Sequence, residues 1–154
     1  MPFYSTKKFG PISTGHRQWK DDGHCQYLHG YGRHVQITFG CMDLDDKTWV
    51  QDFGSLKWVK KHLEVHWDHA MLIASNDPEL ELFRELHERQ IIDLTVMDIE
   101  QGHSPGIEGS CKWVYDTVNP TIEAESGGRV WISKVEIWEH ENNSAIFTPA
   151  MGMC

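Results

Sequence analysis

In Tyr27-Leu28-His29-Gly30-Tyr31-Gly32-Arg33-His34-Val35-Gln36-Ile37-Thr38-Phe39-Gly40, the apolar residues Val35, Ile37 and Phe39 alternate with His34, Gln36 and Thr38. That is the period of a half-buried strand. Asp43-Leu44-Asp45-Asp46-Lys47 then reads as a turn. Upstream, residues 3–19 read more weakly as a partner strand. Downstream the period changes. Leu56, Val59, Lys60 and Leu63 fall at helical spacing, with Asp52 or Ser55 placed to cap the start.

Further along, Asp77-Pro78-Glu79 opens a second helical stretch through Arg89, with Asp77 as N-cap and Pro78 in the first helical position. Ile91 to Ile99 holds a short strand. Gly106 to Val118 reads as a helix, with Ile107, Cys111, Val114, Tyr115 and Val118 on one face. Gly127-Gly128 breaks the chain; Val130 to Trp138 alternates as a strand, and Ser144 to Thr148 returns beside it. Two strands, helices and two strands predict an α+β fold with helices on one face of the sheet.

Composition sets outer limits. The chain has 154 residues, a normal length for a single domain, and no internal repeat or linker divides it. Nothing approaches the roughly 18 consecutive apolar residues of a membrane span. Residues 1–8 lack a basic segment followed by an apolar one, so a cytoplasmic location is expected. Met151 to Cys154 reads as a loose tail, with flexibility expected from about residue 150. The 23 acidic against 14 basic residues give a formal charge of −9, which argues against broad nucleic-acid binding. An anionic substrate would need a local basic pocket. The four cysteines, Cys25, Cys41, Cys111 and Cys154, are widely spaced with no Cys-x-x-Cys pair. A disulfide framework or zinc–thiolate knot is not expected. Ten histidines is a high count, and His16, His24, His29, His34 and His140 lie in or beside predicted strands.

Singly, none of the polar residues carries a function. A lone histidine is usually a solvated or satisfied polar residue, and a lone cysteine is usually inert. The ordered set carries more: His16; Cys25-x-x-x-His29-Gly30; Val50-Gln51-Asp52-Phe53-Gly54-Ser55-Leu56-Lys57; Trp67-Asp68-His69; Pro105-Gly106-Ile107-Glu108; and Glu139-His140-Glu141-Asn142-Asn143. This series resembles the 6-pyruvoyl-tetrahydropterin synthase / 6-carboxytetrahydropterin synthase family, in order and over nearly the whole chain. The four-residue spacing of Cys25 and His29 is closer to the carboxy-forming, bacterial and phage type.

The resemblance implies a tunnelling fold: a four-stranded antiparallel sheet with two long helices on one face, closed into an oligomeric barrel of trimers or hexamers with sites between subunits. Its implied substrate is 7,8-dihydroneopterin triphosphate, and its implied route is 7-deazaguanine (queuosine) biosynthesis. The pyruvoyl-forming reaction and a non-catalytic pterin binder are the alternatives. Cys25 is the implied base, Asp68 and His69 a proton relay, and Glu139 with Glu108 the pterin anchor. Arg17, Lys20 and Arg33 are implied triphosphate contacts. A zinc ion is implied on His16, His29 and Tyr31.

The last position departs from the family's His-Gly-His, since Tyr31 stands where the second histidine would be. His34 faces away on an unbroken strand. His24 or His140 fills the gap only if the backbone bends, as at a bulge. An unusual third ligand, weak metal binding and a metal-free site all stay open. Pro120-Thr121-Ile122-Glu123 is a literal match to the family's Pro-Thr-x-Glu, but the spacing to Gly127 leaves no expected helix there. Glu108 therefore takes that place, and Glu123 is read as a solvated helix-end residue.

Overall fold

The computed structural model describes residues 1–150; the predicted tail from Met151 to Cys154 lies outside the described residues. Six strands and three helices follow one another: β1 (Phe3–His16), β2 (His29–Cys41), α1 (Lys57–Trp67), β3 (Ala70–Ala74), α2 (Leu80–Glu88), β4 (Asp93–Met97), α3 (Ile107–Glu125), β5 (Val130–His140) and β6 (Asn143–Phe147).

The fold is α+β as predicted, but the sheet has six strands rather than four, in the order β4-β3-β1-β2-β5-β6. The antiparallel part is β1-β2-β5-β6. β3 and β4 extend it beyond β1, and both pair in parallel. The parallel β3–β4 pair needs a crossover, and α2 supplies it. β3 went unread because Ala70-Met71-Leu72-Ile73-Ala74 is a continuous apolar run with no alternation, the signature of a strand buried on both faces.

The inward face of β2 sets the core. Val35, Ile37, Phe39 and Cys41 are fully buried against Val59, Leu63 and Trp67 of α1 and Cys111, Val114, Val118 and Ile122 of α3. The two helices meet through a stack of His62 on Trp113, with ring centroids 4.9 Å apart and planes 5° apart.

Helix starts differ from expectation in two places. Asp52 caps a 3-10 turn at Phe53–Leu56, accepting from the Gly54 N–H at 2.9 Å, and that turn runs directly into α1. Asp77 stands three residues ahead of α2, which begins at Leu80 without a side-chain cap; its Oδ1 instead accepts from the Glu79 N–H at 2.9 Å, in the turn before the helix. α3 is also longer than predicted. It passes through Pro120 and ends at Glu125, so Pro120-Thr121-Ile122-Glu123 is helical after all. Gly127 and Gly128, at φ +63° and +84°, then close the end, with the Gly128 N–H donating to the Glu123 carbonyl. Glu123 is exposed in that last turn.

Candidate functional site

Three groups of side chains collect the residues singled out from sequence. The first sits where β1 ends and β2 begins. His16 pairs with His29 and Thr14 with Tyr31 across the β1–β2 ladder. Paired residues project from the same face, and side chains repeat every second residue. His29, Tyr31 and Arg33 therefore share the face of Val35. The rings converge: His16–His29 centroids lie 4.5 Å apart, His29–Tyr31 5.5 Å and His16–Tyr31 6.0 Å. A register shift between Trp138 and His140 in the β5–β6 hairpin accompanies a fourth ring, with His140 5.9 Å from Tyr31. His24 lies in an exposed 3-10 turn at His24–Gln26, off this ladder.

Beneath these rings lies Arg33, which is fully buried. This overturns its expected role as a triphosphate contact. Its Nη1 donates to Ser110 Oγ at 3.0 Å, and its Nη2 donates to the Pro105 carbonyl and to His16 Nδ1, the latter at 3.3 Å. Ser110 Oγ in turn donates to the Ser104 carbonyl at 3.0 Å. Gly109 permits this approach, because a Cβ there would collide with Ser104 Oγ and the Ser104 backbone nitrogen. No carboxylate among the described residues forms an ion pair with Arg33. Burial pulls the Arg33 pKa down to about 10, opposed by Glu139, Cys111 and Glu108. It stays charged at neutral pH. The His16 pKa is lowered to about 3, by burial first, then by the Arg33 and His29 charges.

The second group is an acidic cleft of about 500 Å³ between the start of α3 and the β5–β6 hairpin. Glu108, in the first turn of α3, and Glu139, near the end of β5, line it with Asn142, Asn143 and Ser144. No lysine or arginine among the described residues lines it. Glu139 accepts from Asn143 Nδ2 at 3.2 Å. Carrying the β2–β5 register one step past His34–Trp138 puts Glu139 opposite Arg33. The cleft and the ring cluster are thus neighbours.

The third group is Asp68–His69, in the link from α1 to β3. Asp68 Oδ1 accepts from the Ser13 N–H at 3.0 Å, and His69 Nδ1 lies 3.1 Å from Asp68 Oδ2. The Ser13 hydrogen bond holds the Asp68 carboxyl below its ordinary range, with burial opposing it and the His69 contact adding to it. The His69 side chain is 82% exposed, so the pair points outward. Within one chain no hydrogen bond joins it to Cys25 or to the ring cluster among the described residues.

Cys25 is exposed, in the 3-10 turn rather than on a strand. The turn is held from several sides. The Cys25 carbonyl accepts from the Gln18 N–H at 2.8 Å, and its own N–H donates to Asp21 Oδ2 at 3.2 Å. The loop's root is fastened by Arg17, whose Nε and Nη2 reach both oxygens of Asp77 at 2.8 and 2.6 Å. Trp19 Nε1 donates to Asn76 Oδ1 at 3.2 Å. Arg17 is therefore committed to Asp77 rather than free for phosphate. Lys20 packs over the Trp19 ring at 5.3 Å. Cys111 is buried and its thiol is pushed up to about 12, so it is chemically quiet.

The family's zinc does not fit this donor set. A ligating histidine offers a ring lone pair, while its other nitrogen donates to a carbonyl or carboxylate. His29 meets that condition, with Nδ1 2.7 Å from the Tyr27 carbonyl. His16 does not, because Arg33 has donors only and occupies Nδ1. No three histidine, cysteine or carboxylate side chains among the described residues converge on one point.

Helices packed on this sheet, with carboxylates and histidines gathered at one end of it, define a pterin-synthase-like fold, and the comparisons agree. The sequence profile of 6-pyruvoyl tetrahydropterin synthase matches residues 5–150. The chain therefore belongs to that family. It is 28% identical to the 6-carboxy-5,6,7,8-tetrahydropterin synthase of Aquifex aeolicus, over 87% of this chain and 91% of the relative. It is 29% identical to a probable enzyme of the same name from Halobacterium salinarum, over 75% and 72%. Among solved structures, an uncharacterised protein of Wolinella succinogenes superposes with TM-score 0.79 at 19% identity, covering 97% and 99% of the two chains. The 6-pyruvoyl tetrahydropterin synthase of Plasmodium vivax superposes with TM-score 0.67 at 14% identity, covering 96% and 97%.

Proposed function

We propose that the protein is a 6-carboxy-5,6,7,8-tetrahydropterin synthase, a lyase acting on 7,8-dihydroneopterin triphosphate and serving 7-deazaguanine (queuosine) biosynthesis. The observation that carries the reading is the cation-free cleft holding Glu108 and Glu139. A pterin edge presents an amino group and a ring N–H side by side, and a carboxylate accepts both in the bidentate manner. Glu139 is the anchor and Glu108 its helper. The names of the full-length relatives support the carboxy-forming reaction over the pyruvoyl-forming one.

Cys25, exposed on a braced turn before β2, takes and returns protons on the substrate side chain. Asp68 orients His69, which relays them. That pair faces out of its own chain, which supports a homo-oligomer, trimer or hexamer, in which it serves a neighbouring subunit's cleft. Zinc, when bound in this family, would polarise the side-chain hydroxyls. The donors of this chain do not support it, and no step assigned here depends on it. No helix among the described residues is long and apolar enough to cross a membrane.

The test is to incubate the protein with 7,8-dihydroneopterin triphosphate and identify the product by mass. A 6-carboxy product that disappears in Cys25→Ala, while pterin binding persists, is the expected result. A 6-pyruvoyl product would replace the reaction. Binding without turnover in the native chain would make the protein a pterin binder.

A further inference from the structure

We infer that His16 and His29 form a metal-free clamp for a hydroxyl group, with Arg33 in the electrostatic place of a metal cation. The argument is one of donors and acceptors. Every hydrogen on the Arg33 guanidinium is a donor, so His16 Nδ1 must accept, and the neutral ring carries its proton on Nε2. The Tyr27 carbonyl can only accept, so His29 Nδ1 must donate. In the neutral form of the His29 ring the lone pair is then on Nε2.

Two rings 4.5 Å apart thus hold opposite tautomers. His16 offers an N–H and His29 offers a lone pair. Among the described residues neither Nε2 has a hydrogen-bond partner, and neither belongs to the fully enclosed, unpaired polar atoms. Both are open to a ligand. A hydroxyl is the group that accepts from one and donates to the other. Tyr31, 5.5 Å from His29 and 6.0 Å from His16 between ring centroids, adds a phenol beside them. Glu139 opposite Arg33 puts the clamp next to the acidic cleft. The ligand class is an alcohol or vicinal diol. With the pterin reading above, on which this clause rests, it is the hydroxylated side chain of the pterin.

Arg33 has the one further mark of a built feature. It is fully buried, and among the described residues it has no paired carboxylate and its Nε is enclosed without a partner. A metal on His16 Nε2 would force the ring proton onto Nδ1, against a donor. It would also set a divalent charge beside a fixed monovalent one. Arg33 and a zinc ion are therefore alternatives at this site.

Three readouts test this, two of them without substrate. Long-range ¹⁵N–¹H NMR of histidine-labelled protein is expected to give the Nε2–H tautomer for His16 and the Nδ1–H tautomer for His29; the reverse at His16 overturns the clamp. Zinc added alone, against a chromophoric chelator, is expected to load fewer than ~0.1 equivalents per chain at micromolar free metal. One tightly held zinc per native chain overturns the inference. The double variant Tyr31→His/Arg33→Met, checked for native fold by circular dichroism, is expected to gain zinc affinity by about 100-fold. The third readout compares neopterin with unsubstituted pterin by fluorescence quenching. Neopterin is expected to bind about 10-fold tighter, an advantage lost in His29→Phe. Equal affinities would refute the hydroxyl clamp. If neither pterin binds, the function proposed above fails, and the tautomers and zinc titration still decide this inference alone.

Discussion

The acidic cleft and the histidine cluster lie side by side at one end of the sheet, yet they are built in opposite ways. In the cleft, Glu108 and Glu139 stand on the rim of open space, and among the described residues the only side-chain hydrogen bond to Glu139 comes from Asn143. What they contribute is acceptor oxygens, directed by position. In the cluster, the Nδ1 of each histidine is assigned by a neighbour, and the assigning group for His16 is a buried charge. Residues that act singly keep their meaning when a sequence changes around them. Residues that act through a network change role when one member changes, as His16 does with Arg33 beneath it and Tyr31 beside it.

The largest expected effect separates the two regions by stability. Arg33→Ala leaves Ser110, the Pro105 carbonyl and His16 Nδ1 facing an empty space. Breaking such a buried charged network is expected to cost about 3–5 kcal/mol, read as a lower urea midpoint. A loss under about 1 kcal/mol would mean Arg33 is a rim residue like the glutamates. Next in size is Glu139→Gln. It should leave stability within about 0.5 kcal/mol of the native chain, since its side chain borders solvent. Pterin affinity should fall about 100-fold, or ~2.7 kcal/mol, as one charged, bidentate acceptor is lost. A variant that loses stability and keeps affinity would invert the comparison.

A smaller effect tests the brace on the Cys25 loop. Asp77→Asn removes the charge that both Arg17 nitrogens bind, and about 1.5–3 kcal/mol of stability with it. Turnover should fall while pterin affinity holds, because the loop positions Cys25 and the cleft lies elsewhere. In the fold, burial raises the Asp77 pKa, but the bonds from Arg17 and the Glu79 N–H outweigh it, and the net shift is downward. Its contribution is therefore present above the ordinary carboxylate pKa and is lost as pH falls below about 4.

Much of this was legible before any coordinates. The alternation of Val35, Ile37 and Phe39 marked β2, and the helical spacing of Leu56, Val59 and Leu63 marked the start of α1. What failed did so for physical reasons. β3 lacks alternation because both its faces are covered. α3 outran its prediction because one proline costs less than the packing of Val118 and Ile122 recovers. Arg33 is buried rather than a phosphate contact, and the sequence carries the signal for it. Counting back by twos from Val35 puts it on the core face, where an unpaired charge must find acceptors. The six motifs from His16 to Asn143 fall at the ring cluster, the Cys25 turn, the start of α1, the Asp68–His69 link and the acidic cleft. They carried no information on which nitrogen of each histidine bears the proton, since backbone carbonyls and a buried guanidinium decide that.

The smallest expected effect extends the comparison to a third histidine, one with no place in either region. His62 lies between α1 and α3, its Nε2 2.9 Å from Thr117 Oγ1 and its ring on Trp113. Burial, with His66 adding to it, lowers its pKa to about 4. The folded state thus holds His62 neutral while the unfolded chain protonates near 6.5. Between those values the unfolded state binds more protons, so stability falls as pH drops from about 6.5 toward 4. Discounted for its partial exposure, the contribution is about 1–2 kcal/mol. His16 acts in the same direction and continues lower, to about 3. Urea midpoints at pH 7 and pH 4.5 should therefore differ in the native chain, and differ less in His62→Gln. An unchanged difference would mean that His62 is protonated in the fold. The stack on Trp113 would then be a cation–ring contact, and the tautomer logic that governs the cluster would stop at its edge.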